Sequence, residues 1–156
     1  LSAVLALPLW LALVRRIGLA RTWLCGMVLA IAVFVFAAGL GSGDTLAFAI
    51  VCALSGAALG TDLVLPAALL TGVIAKAGDQ GHAEGAYFGW WAFAGKLNLA
   101  LAAGLALPAL AALGYTPGAR DPAALQALVA AYCVLPCVLK LIAASGLYVL
   151  IDRTSP

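Results

Sequence analysis

The chain of 156 residues is 66% apolar and 9% charged, against roughly 45–50% and about 25% for a soluble domain, which excludes a water-soluble fold. Its net charge of +2 comes from scattered cations, so no basic stripe can follow a nucleic-acid backbone, and nucleic acid is excluded as a partner. No segment sustains the period-two alternation of a membrane β-barrel, which leaves an all-α membrane protein, a helical bundle surrounded by lipid.

Five hydrophobic segments are predicted, at about 1–14, 22–40, 45–75, 86–113 and 123–151. The first has 14 residues before Arg15, short of the ~20 that cross a hydrocarbon core. Its cations follow the apolar run and no small-residue cleavage site is present, the reverse of a signal peptide. It reads as a truncated span, and the chain as the C-terminal fragment of something longer. The loops then alternate in charge. Arg15, Arg16 and Arg21 lie in the first, Lys76 in the third, Arg120 in the fourth and Arg153 after the last segment, five cations on one side against one on the other. The positive-inside bias places the first loop, the loop with His82 and the C-terminus in the cytoplasm of a cell (inner) membrane protein.

The third segment has 31 residues, about 46 Å as a straight helix against a hydrocarbon core of ~30 Å, so it must tilt, bend or project. Pro66 cannot donate to the carbonyl of Asp62, four residues earlier, which leaves a free backbone oxygen beside a carboxylate. That combination suits a cation or a sugar hydroxyl, although a packing kink explains the proline equally well. Gly56 and Gly60 form a small face that lets another helix approach.

Lys96 lies ten residues after Ala86, and Asp62 thirteen before Ala75. At 1.5 Å per residue both sit about 15–20 Å from the same membrane face. A charge at that depth costs roughly 2.5–3.5 kcal/mol and marks a transport path when it persists. Asp62 and Lys96 are therefore expected to pair or to exchange partners, the rival being a Lys96 that snorkels to the interface. Gly89, Ala92, Ala100 and Ala103 share the Lys96 face and leave room beside the ammonium. Tyr87, Phe88, Trp90 and Trp91 crowd the start of the same segment. They read as an aromatic belt or, more sharply, as a ring from Trp90 or Tyr87 that stacks on a sugar. In the last segment Pro136 frees a carbonyl and Lys140 sits in mid-span. No acid in its own segment pairs with Lys140, which ranks it below Lys96 as a transport residue.

Cys25, Cys52, Cys133 and Cys137 all lie in apolar runs and read as packing, since no His or acid completes a metal set beside them. His82-Ala83-Glu84 lacks the cysteine pair of a zinc deaminase. Gly39-x-Gly41-x-Gly43 joins two spans and is a turn, not a phosphate loop. No hydrolase or metalloprotease motif occurs, so neither catalysis nor a cofactor is expected.

The runs GTDLVLPAALL, EGAYFGWWAFAGKLNLALAAGLALP, LGYTPG and LPCVLKL together resemble the C-terminal half of the glycoside, pentoside and hexuronide cation symporters. These are melibiose-permease-like carriers of the major facilitator superfamily. The likeness extends from the span before Arg15 to Ile151 and is most specific at Glu84, Tyr87 and Lys96. It implies the last five of twelve helices, with Lys96 as the family's important lysine of the eleventh. The turn with Arg15, Arg16, Gly18 and Arg21 resembles the superfamily's cytoplasmic loop motif, with Val14 where an acid usually stands. Thr71-Gly72-Val73-Ile74-Ala75 replaces a stretch that often carries acids. The resemblance implies secondary active transport of a sugar or glycoside with Na⁺ or H⁺, completed by the missing N-terminal half of the chain. The rival expectations are a non-transporting membrane scaffold and a lipid or drug carrier of the same fold.

Overall fold

The computed structural model describes residues 1–40, 43–112 and 129–154. Every regular element among them is helical: α1 (Ser2–Ile17), α2 (Leu19–Ala38), α3 (Thr45–Ala77), α4 (Glu84–Ala112) and α5 (Leu135–Thr154), the last preceded by one π turn at Ala130–Val134. Three helices, α2, α3 and α4, are long and apolar enough to cross a membrane, and Leu135–Ile151 is a shorter apolar helix. The helices α2, α3 and α4 overlap the apolar segments at about 22–40, 45–75 and 86–113. Residues 41–42, in the expected glycine turn, and 113–128, with Arg120 and the start of the expected fifth segment, lie outside the described residues.

One residue joins α1 to α2. Gly18 takes φ 85° and ψ 168°, a region essentially restricted to glycine. Its N–H closes α1 on the Val14 carbonyl at 2.9 Å, and its own carbonyl opens α2 by accepting the Thr22 N–H at 3.1 Å. The Thr22 hydroxyl donates to the same oxygen at 2.7 Å from a fully buried position. Arg15 and Arg16 occupy the last turn of α1, where cations complement the helix dipole, and Arg21 follows in the first turn of α2. All three arginines are exposed. A Cβ on Gly18 would meet no atom within 4 Å, so Gly18→Ala tests the backbone alone. The expected result is a loss of about 1–3 kcal/mol, read as a lower unfolding midpoint in detergent with the membrane location unchanged.

The chain divides into two compact units, residues 1–69 with 133–156, and residues 70–132. In the first unit, α2 packs against α5 and α1. The buried residues of α2, namely Thr22, Gly26, Met27, Ala30 and Val33, recur at helical spacing and define its packed side. The helix α3 joins α1 through small residues. Gly60 comes so close that a Cβ there would lie 3.3 Å from the Ala3 carbonyl oxygen, and the Trp10 indole donates to the Ala57 carbonyl at 3.0 Å. The expected small face of Gly56 and Gly60 is thus the contact with α1. Pro66 is buried and does not end α3. The π turn precedes Pro136, which lacks an N–H and crowds the carbonyl four residues back. Widening that turn relieves the clash.

In the second unit α4 follows a glycine-shaped loop, with Gly78 and Gly81 at φ 78° and 76°. Asp79 caps the end of α3 by donating its N–H to the Ile74 carbonyl at 3.2 Å. Its carboxylate accepts the Tyr87 hydroxyl at 2.7 Å, which ties the loop to the first turn of α4.

Candidate functional site

Three helices converge on one carboxylate in the first unit. The approach of α2 to α3 is set at Gly26, because any Cβ there would run into the side chain of Thr61. Thr61 is itself buried, its hydroxyl donating to the Ala58 carbonyl at 2.7 Å. One turn before Gly26 stands Trp23, and next to Thr61 stands Asp62. The same close approach brings the Trp23 indole N–H to Asp62 Oδ1, at 3.0 Å. From the third helix, Lys140 donates its ammonium to Asp62 Oδ2 in an ion pair. The α5 helix is seated by Cys137, one turn before Lys140, which is buried with its thiol 3.9 Å from the Ile31 carbonyl of α2.

Both carboxylate oxygens therefore have a charged or polar donor. A carboxylate in an apolar bundle needs this, since an uncompensated buried charge costs several kcal/mol. The pair is not sealed, however, with Lys140 24% and Asp62 28% exposed. It forms part of the wall of a cleft of about 570 Å³, together with Phe34 of α2, Ser55 and Leu59 of α3 and Pro136 of α5. The Ser55 hydroxyl donates to the Cys52 carbonyl at 3.2 Å and keeps its lone pairs. The cleft thus offers an ammonium donor, carboxylate and hydroxyl acceptors and a phenyl face, a set able to bind a ligand rich in hydroxyls.

Asp62 is expected to pair or to exchange partners with Lys96; within the first unit the cation beside it is Lys140, across 78 positions of sequence. The partner of Lys140 comes from a neighbouring helix and not from its own segment. Lys96 belongs to the second unit and is exposed on α4. Trp23 drew no attention in the sequence, although an indole within an apolar helix always needs an acceptor for its N–H. Cys137 is packing, as expected, whereas Cys25 and Cys52 are exposed and Cys52 lines the cleft.

The second unit gathers the aromatic candidates. Tyr87, Trp90 and Trp91 line an apolar groove of about 550 Å³ with Leu70, Ala86 and Ala94. Trp90 also meets Phe93 edge to face, with ring centroids 5.7 Å apart. Helical spacing accounts for the grouping, because residues three and four apart share a side of α4. Among the described residues no group of three or more His, Cys, Asp and Glu side chains could hold a metal ion.

The family model described as MFS/sugar transport protein matches residues 1–151. No curated protein and no solved structure matches the chain.

Proposed function

Because the chain belongs to the MFS/sugar transport protein family, we propose that it is the C-terminal part of a secondary active transporter that carries a sugar or glycoside together with Na⁺ or H⁺. In this reading it is melibiose-permease-like, sits in the cell (inner) membrane with its C-terminus in the cytoplasm, and is completed by an N-terminal half. Transport proceeds by alternating access, with substrate bound near the midplane between two helical halves.

The observation that carries the proposal is the Asp62–Lys140 ion pair, held by Trp23 and open to a cleft. Stability alone is a weak reason for an ion pair within an apolar bundle, since replacing it by apolar residues is often neutral or favourable. An intramembrane acid and base that reach a cleft fit a path for polar cargo. Sugar hydroxyls both donate and accept, so they match a wall that presents Lys140, Asp62 and Ser55. Lys96 would orient substrate or couple the two halves. Tyr87 or Trp90 would stack on the apolar face of a sugar ring.

The experiment is uptake by the complete carrier in proteoliposomes, with a Na⁺ or proton gradient imposed. Accumulation of a labelled glycoside above equilibrium, displaced by unlabelled sugars and not by amphiphiles, is the expected result. Displacement by amphiphiles alone would favour a lipid or drug carrier. Binding without accumulation would favour a scaffold.

A further inference from the structure

We propose that Cys133 and Cys137, at the start of α5, form a two-thiol site for a soft metal ion that takes two sulfur ligands, the class of Hg²⁺. The site is independent of the cargo that the carrier moves.

Three observations carry it. Both thiols are free, and they stand one helical turn apart where the π turn of Ala130–Val134 passes into α5. Residues at that spacing have Cβ atoms about 5–6 Å apart, and Cys137 lies within electrostatic range of Cys133. With metal–thiolate bonds of ~2.3 Å, a linear bridge between two sulfurs spans about 4.6 Å. One ion therefore fits between the two side chains. Second, the charges close. Two thiolates and one divalent ion sum to zero, which suits an apolar bundle where an uncompensated charge is costly. Lys140, the next charged residue along α5, already has its charge matched by Asp62. Third, the surroundings select against harder ions. Zinc demands a full tetrahedral set and calcium a larger shell of oxygens, whereas among the described residues no group of three or more His, Cys, Asp and Glu side chains could hold a metal ion. Thiolates favour soft metals, and two of them suffice for an ion of linear coordination.

The half-buried Cys133 is the point of entry. Pro136, which follows it by less than a turn, lines the cleft, so an ion in the cleft comes close to the Cys133 sulfur. That sulfur gives up its proton to take the ion, and Cys137 then gives up a second. Two S–H bonds break, two metal–sulfur bonds form, both protons leave to water, and no atom changes oxidation state. The Cys137 thiol can then no longer donate to the Ile31 carbonyl, the 3.9 Å contact that seats α5 on α2. Occupancy removes one contact between those helices.

The test uses the complete carrier in lipid discs, saturated with HgCl₂ and then washed with increasing glutathione, a monothiol that competes for the ion. Open thiols are labelled with N-ethylmaleimide and read by peptide mass spectrometry. Cleavage after Arg120 and Lys140 leaves both cysteines on one peptide, and the exposed Cys25 and Cys52 are the internal references. Two linked ligands outbind either one alone by about a hundredfold or more. The pair is therefore expected to keep the ion at about a hundredfold higher glutathione than the references do, its peptide gaining one mercury and losing two protons. Maleimide on Cys133 at the glutathione that clears Cys25 and Cys52 overturns the proposal. Cys133→Ser and Cys137→Ser are each expected to release the ion together with the references. Retention by either remaining thiol would mean that burial and not pairing holds the ion, and would also overturn the proposal. If Cys137→Ser does not fold, Cys133→Ser, at the half-buried position, and the wild-type peptide mass decide between the outcomes.

Discussion

Lys140→Met is expected to destabilise the first unit by about 2–4 kcal/mol, and the further change Asp62→Asn to recover most of that loss. Methionine keeps the length of the lysine stem and removes the charge, so the packing of α5 on α2 is disturbed little. What remains is a carboxylate in an apolar surrounding with one indole donor at 3.0 Å and no cation. Breaking a buried pair costs about 3–5 kcal/mol because the other charge is left uncompensated. The figure here is lower because Lys140 and Asp62 are 24% and 28% exposed, so water recovers part of the loss. Asparagine removes the stranded charge while its amide still accepts from Trp23. Unfolding in detergent, followed for the wild type, both single variants and the double variant, gives the coupling directly. A coupling energy of at least about 1 kcal/mol is expected. Additive effects would show that the pair contributes nothing to holding α3 and α5 together.

Lys96→Ala is expected to act on transport and not on folding. The lysine is exposed on α4, so its removal leaves no cavity in that helix's packing. If Lys96 orients substrate or couples the two halves, uptake falls by about a hundredfold, the worth of one charged hydrogen bond of ~3 kcal/mol. Uptake in proteoliposomes, normalised to folded protein in the membrane, separates the two effects. Unchanged uptake would remove Lys96 from the transport machinery and leave the snorkelling alternative.

The positions of the two lysines show how far the sequence could be read. Asp62, Lys96 and Lys140 all stand within apolar segments, and each could be recognised from the cost of placing a charge there. One acid and two bases leave a choice. Depth along the helices makes Lys96 plausible, yet depth is one coordinate of three. Tyr87, Trp90 and Trp91 are gathered by the period of a single helix, and they line one groove. Arg15, Arg16, Gly18 and Arg21 stand out in the sequence by composition, whereas the single-residue connection with Gly18 at φ 85° is a property of how α1 meets α2.

By itself, the sequence determined what depends on local composition and period: the membrane class and the helical state. A lipid core admits few solutions for an apolar segment, so hydropathy alone selects them. The tertiary structure decided which helix faces which. These helices are apolar nearly all round, and an even surface carries no stripe to announce a neighbour. The approach of α2 to α3 at Gly26 and Thr61, and the seating of α5 on α2 at Cys137, are long-range packing events. They bring Trp23 and Lys140, 39 and 78 positions away in the chain, to the two oxygens of Asp62.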